Sequence, residues 1–254
     1  MKIEGNQFPK LAKAPIVLAI LEIKFKTSEE KTNSNLQPLE VIFKKNFPIH
    51  NTISTAEVEF KPELEKTPIS LKSTSLSGHS FISEDKKNEF FISTDTFTFK
   101  QHGEYDTWAK FKEKALSAWA KCLAVIEPKT TERLSLRYIN SIEISATKNA
   151  ALAQEIFLNT FIASYGSLQK TPISEYSLRY THPLNENKIM VNFAQELRQG
   201  SGDKFPFIID IDVLYISSEK LNDSSIQNKF DELRKIKNEY FFDNLTDSTY
   251  IQIK

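Results

Sequence analysis

The sequence predicts an α+β protein of two packed, sheet-bearing halves, residues 1–147 and 148–254, each ferredoxin-like or a relative, with mostly antiparallel strands. Three observations carry that expectation. Apolar residues alternate with polar ones in several separate runs, which is the signature of strands with one covered face. Two long segments instead carry apolar residues at three- and four-residue spacing, each after a group of strands. The order in the first half is strand, helix, strands, helix, strand, the order of a split βαβ unit with a longer middle.

Residues 16–25 follow Pro15 and end in alternation at Leu21, Ile23 and Phe25, so they read as a strand covered on both faces at its start. Leu36 to Phe47 brings Leu36, Leu39, Ile42 or Phe43, and Phe47 to helical spacing, with Pro38 acceptable in a first turn. Between Ile53 and Ile82, alternation broken by Pro62, Pro68 and serines predicts strands with irregular joins. Phe90 to Lys100 reads as one strand with Phe97 and Phe99 on a shared face. Thr107 to Ile126 is the clearest helix, capped by Asp106 or Thr107, striped by Trp108, Phe111, Ala115, Trp119 and Cys122, and closed by Pro128. From Arg133 to Ile144, Leu134, Leu136, Tyr138, Ile142 and Ile144 share one face, and Arg133, Ser135, Arg137, Ser141 and Glu143 the other.

The second half starts with a helix over Ala151 to Ser164, followed by strands over Glu175–Tyr180, Lys188–Gln195 and Phe205–Ile216. A long helix over Ser224–Leu245, with Ile226, Phe230, Leu233, Tyr240 or Phe241, and Leu245 in its stripe, leads to a short extended tail at Tyr250–Ile253. Ser135-Leu136-Arg137-Tyr138 recurs as Ser177-Leu178-Arg179-Tyr180, an echo that an internal repeat would leave.

Composition narrows the function classes. Thirty-three basic residues balance 33 acidic ones, so net charge nominates no partner. The longest nearly apolar run, Pro15 to Ile23, is about half of the ~20 residues a membrane span needs. A single cysteine excludes an internal disulfide framework and fits a reducing cytoplasm, the expected location. The six glycines form no phosphate loop of either common type, and the four histidines have no metal-site spacing, so no cofactor is expected. No serine sits in a nucleophile elbow, and Cys122 falls on the apolar side of its helix, where an inert buried thiol is expected. Gly200-Ser-Gly202 reads as a strand-connecting turn.

The string Arg133-Leu134-Ser135-Leu136-Arg137-Tyr138-Ile139-Asn140, with Pro15-Ile16-Val17, Gly78, Phe81, Tyr105 and Trp108, resembles a sporadically distributed, uncharacterised prokaryotic protein family of about this length. The resemblance spans residues 14–145 and reaches the C-terminal half by pattern alone. It implies a fold and a gene carried on mobile or defence islands, and it names no catalytic residue.

Arginine is used sparingly, at five positions against 28 lysines. Arg133 and Arg137 share one strand face and Arg179 sits at the echoed place, so adjoining faces would give a groove that binds a phosphate or carboxylate. The competing expectation pairs these arginines with Glu132, Glu143, Asp210 or Asp212. Asp210 and Asp212, two apart on a strand, project ~7 Å apart from one face and are the best candidates for a divalent metal. The sequence thus favours a non-catalytic binding or sensing component, of an anti-phage or toxin–antitoxin locus, that recognises a protein partner or a nucleotide-like ligand. Two alternatives stand beside it. One is a nucleic-acid-acting enzyme of tandem ferredoxin-like type using His102, Tyr105 and the arginines. The other is a structural homo-oligomer, to which Ile139 on the odd face points. No membrane is expected.

Overall fold

A computed structural model describes residues 8–9, 11, 14–28, 31–60, 69–145, 175–186, 188–198 and 204–253. These form an α+β fold. β1 (Ile16–Lys26) is followed by a 3₁₀ turn (Asn33–Leu36) and α1 (Leu39–Phe43), then by β2 (Ile49–Phe60), β3 (Ile69–Ile82), β4 (Asn88–Ile92) and β5 (Thr96–His102). α2 (Trp108–Ile126) leads to β6 (Thr130–Ser145). β7 (Tyr176–Leu184), β8 (Ile189–Leu197), β9 (Lys204–Ile216), α3 (Asp223–Asp243) and α4 (Asp247–Ile253) complete the described elements. The strands make one sheet of nine in the order β2-β3-β4-β5-β1-β6-β9-β8-β7, antiparallel at every step. β1 and β6 lie side by side inside the sheet, with β5, β4, β3 and β2 outward from β1 and β9, β8 and β7 outward from β6.

Period-two alternation places the core. Leu21 of β1 lies opposite Phe99 on one side and Leu136 on the other, Leu136 opposite Val213, and Val213 opposite Val191. All five are buried, and among the described residues the helices cover this face. α2 is entered at Thr107, whose side chain accepts from the Lys110 amide, and it lays Phe111, Ala115, Trp119, Cys122 and Ile126 on the sheet. Trp119 meets Phe25 and Phe97 at ring-centroid distances of 5.3 and 5.5 Å. The helix ends at Glu127, in the left-handed region at φ 49°, where Lys31 crosses over to donate to the Val125 carbonyl and to pair with Glu127. α3 starts at Asn222, which accepts from the Ser225 amide at 2.8 Å.

The helix expected over residues 36–47 is two shorter pieces, the 3₁₀ turn and α1, because Pro38 supplies the cap between them. Residues 90–100 are a hairpin and not one strand. The Ser93 hydroxyl donates to Asp95 at 2.6 Å and accepts from the Thr96 amide at 3.0 Å, closing the turn between β4 and β5. The C-terminal tail is helical: Thr246 precedes α4, its hydroxyl accepts from the Thr249 amide, and Asp247 sits in the first turn. The helix expected at Ala151–Ser164 and the Gly200–Gly202 turn lie outside the described residues. The echoed tetrapeptides occupy unlike places, one in central β6 and the other in edge strand β7. No described helix is long and apolar enough to cross a membrane.

Charge pairs bind the two ends of the chain. Arg137 meets Asp210, Lys112 meets Asp231 and Lys204 meets Glu143. The sheet runs without interruption from the strands before residue 147 to those after it.

Candidate functional site

The sheet face opposite the described helices carries the residues that the sequence singled out. Arg137 donates through Nε and Nη2 to the two carboxylate oxygens of Asp210, at 2.8 and 2.5 Å. Arg133 pairs with Glu22, and Ser135 donates to Asp212. Arg179 lies three strands from Arg137, roughly 14 Å at strand spacing, and pairs with Glu196 at 2.9 Å. Glu196 also meets Arg198, and both arginines hold its carboxyl below the usual range. The structure therefore brings Arg133 and Arg137 onto one face, leaves Arg179 apart from them, and engages each guanidinium with a carboxylate. Glu132 and Glu143, also considered as partners, pair with Lys26 and Lys204. Asp210 and Asp212 do share a face, but Asp210 is taken up by Arg137, and burial pushes the Asp212 carboxyl upward against the pull of Ser135 and Arg137. Among the described residues no group of three or more His, Cys, Asp or Glu is placed to hold a metal. Cys122 is buried, which pushes its thiol well up and keeps it protonated.

The Arg137–Asp210 pair is a two-point contact, but the guanidinium is 42% exposed and water screens it. Arg137→Ala is expected to cost about 1 kcal/mol in urea denaturation, with the Arg137→Ala/Asp210→Ala double variant recovering part of the loss.

A cavity of about 700 Å³ opens on the helix-covered face, where the start of α2 meets α3 over β6. Its size lies within the usual range for small-molecule sites, roughly 300–1,000 Å³. Gly103, at φ 70°, turns the chain out of β5 and its amide donates to the Val17 carbonyl, aiming Glu104–Thr107 along the cavity mouth. Tyr105 folds inward from that segment. Its hydroxyl lies 2.8 Å from that of Tyr138 on β6, with the rings 5.4 Å apart and near perpendicular. Burial pushes the Tyr105 phenol up to about 12 and that of Tyr138 well above its ordinary value, so both stay protonated at neutral pH. One hydroxyl proton is used between the rings and one is left to donate. Phe8, Leu11 and Ile16 form an apolar wall, in which Phe8 stacks on Phe242 at 5.7 Å.

α3 supplies the opposite wall through Arg234, Lys237, Asn238 and Phe241, residues that 3.6-residue periodicity puts on one side of a helix. Lys237 is 6% exposed, and its amine sits 4.1 Å from the centre of the Tyr138 ring. Among the described residues no carboxylate partners Lys237 or Arg234. The two carboxylates at the rim are otherwise engaged, Glu104 with Lys87 and Asp106 with Lys110. Burial first, and the Arg234 charge second, lower the Lys237 amine to about 7. Trp108 and Ala109, the first two residues of the 19-residue helix α2, also line the cavity, and the first amides of a helix have no acceptor within it.

Of these residues the sequence pointed only to Tyr105. The signal for Lys237 was present as an interruption: the stripe Ile226, Phe230, Leu233, Phe241 needs an apolar residue at 237 and finds a lysine. Comparisons with protein-family models, curated proteins and solved structures found no match.

Proposed function

We propose that this protein is a binding or sensing component whose ligand is a small anion with an apolar or aromatic body, a class that includes nucleotide-like molecules. The observation that carries the reading is a pair of cationic side chains, Lys237 and Arg234, on the wall of a largely apolar cavity with no described carboxylate to neutralise them. A buried cation without a partner is costly, and an incoming anion removes that cost. The helix α2 amides and the spare tyrosine proton add donors of the kind that fix an anion's orientation. Arg133, Arg137 and Arg179 support this choice of site over a nucleic-acid surface, because each is already paired.

The finer architecture belongs to the same proposal. β6-β1-β5-β4, with α1 and α2 between strands, follows the order of a split βαβ unit, and β6 through α3 repeats part of it, which supports two ferredoxin-like halves. A sensing role within a defence or toxin–antitoxin locus is consistent with a ligand site of this kind.

Calorimetric titration with matched pairs tests the binding reading: AMP against adenosine, and phenyllactate against its uncharged amide. The anionic member of at least one pair is expected to bind about tenfold or more tighter, the worth of one buried charge-assisted hydrogen bond or more. Equal affinity within both pairs, or no binding by any of the four, overturns it.

A further inference from the structure

We infer that Lys237 is a nucleophilic amine that condenses reversibly with the carbonyl carbon of an oxo acid held in the cavity, with Arg234 receiving the acid's carboxylate. The inference rests on the reading of the cavity as an anion site and adds to it a bond-forming step and a substrate class.

Four observations converge on it. Lys237 projects from the middle of α3 into the cavity while 94% of it is shielded from solvent, so its amine meets a ligand without a full water shell. No described acid neutralises it, and the cation beside it, Arg234, disfavours a second positive charge. An amine lowered to about 7 is unprotonated at neutral pH on the order of a thousand times more often than an ordinary lysine. Among the described residues the charged and titratable groups facing it are Arg234 on its own helix, Tyr138 beneath it on β6, Tyr105 from the segment before α2, and the rim carboxylates Glu104 and Asp106, which pair with Lys87 and Lys110. The Tyr105–Tyr138 hydroxyl pair lies over the same floor as the amine and offers one free proton to an oxygen that becomes negative.

The step balances without a redox partner. The nitrogen lone pair forms the C–N bond and the carbonyl π electrons move to oxygen; the oxygen takes a proton and the nitrogen gives one up, which yields the carbinolamine. The oxygen then takes a second proton and leaves as water while the nitrogen lone pair forms the C=N bond, and the nitrogen gives up its remaining proton to leave the imine. Amine and ketone become imine and water, and hydrolysis returns both. Arg234 holds the carboxylate adjacent to the carbonyl, an arrangement that a 2-oxo acid satisfies and a simple ketone does not.

The test uses phenylpyruvate as probe, with sodium cyanoborohydride to reduce the imine and mass spectrometry of intact protein and peptides as readout. One adduct is expected, on Lys237, absent from Lys237→Met and retained in Lys235→Ala, which alters an exposed lysine of the same helix. Its rate of formation is expected to reach half its maximum near pH 7, as an amine of that pKa requires. Arg234→Met is expected to require about tenfold more phenylpyruvate for the same yield. Adducts spread over surface lysines and unchanged in Lys237→Met overturn the inference. Phenyllactate, which lacks the carbonyl, separates the two levels: if it binds while phenylpyruvate leaves no adduct on Lys237, the condensation fails and the anion site stands. If neither molecule binds, both fail.

Discussion

Replacing Lys237 by Met is expected to stabilise the protein at pH 6 and to weaken anion binding. Two effects on the lysine oppose each other. The Tyr138 ring, 4.1 Å away, attracts an ammonium, an effect worth up to about 2 kcal/mol when desolvated. Burial and Arg234 disfavour the charge and win, bringing the amine from its ordinary 10.5 to about 7. At ~1.4 kcal/mol per pH unit that net displacement is a penalty on the order of 5 kcal/mol at pH 6. The sign follows from proton counting. Between about 7 and 10.5 the unfolded chain holds a proton on this amine that the folded protein does not, so wild-type stability rises with pH across that window. Below 7 the penalty is present in full, and above 10.5 it is gone. Guanidinium denaturation at pH 6, 8 and 10 should therefore show Lys237→Met most stabilised relative to wild type at pH 6 and nearly equal to it at the highest pH. A variant less stable than wild type at every pH would mean that the ammonium is held by favourable contacts, contrary to the reading of the cavity.

Phe90→Ala is expected to cost about 3–5 kcal/mol, a large part of the ~5–15 kcal/mol that holds a typical domain together. Phe90 is fully buried in β4, with ring centroids of Phe43 at 4.5 Å, Phe81 at 4.8 Å, Phe47 at 5.0 Å and Phe97 at 5.8 Å. It thus ties α1 and the strand-poor segment after it to β3 and β5. β4 has only five residues, and β2 and β3 reach the rest of the sheet through it. On the other face of the same strands Gly78 lets the Phe91 ring and the Ile92 carbonyl approach to within 2.5–2.6 Å of where a side chain would start. Urea denaturation followed by tryptophan fluorescence reads the loss. A cost below ~1 kcal/mol would show that the cluster repacks around the missing ring.

These effects bear on what the sequence could disclose. β6 and α2 were legible because a single period runs through each without interruption, two residues in one and 3.6 in the other. The β4–β5 hairpin was not, since Ser93, Thr94 and Asp95 are tolerated inside a strand and close the turn only through the specific hydrogen bonds of Ser93. The last helix hid behind the apolar residues Tyr250, Ile251 and Ile253, although Thr246 and Asp247 supply a cap and an acidic first turn. Arg137 and Asp210 were each assigned a strand face and their pairing was one of two expectations, but whether they meet a ligand or each other depends on strand register, which periodicity does not give. The cavity was least legible. It is assembled from the segment before β1, the start of α2, β6 and α3, and along the chain it is marked by polar residues within apolar stripes, Lys237 on α3 and Asn140 on β6.

The most direct measurement is calorimetric titration of phenyllactate at pH 8 into wild type and Lys237→Met, repeated in buffers of different ionisation enthalpy. The carboxylate that Arg234 receives would lie beside the Lys237 amine and favour its charged form, so the wild type should take up part of a proton for each phenyllactate bound, and the variant should bind more weakly and take up none. Binding without proton uptake, or equal affinity for both proteins, would contradict the assignment of Lys237 as the centre of the site.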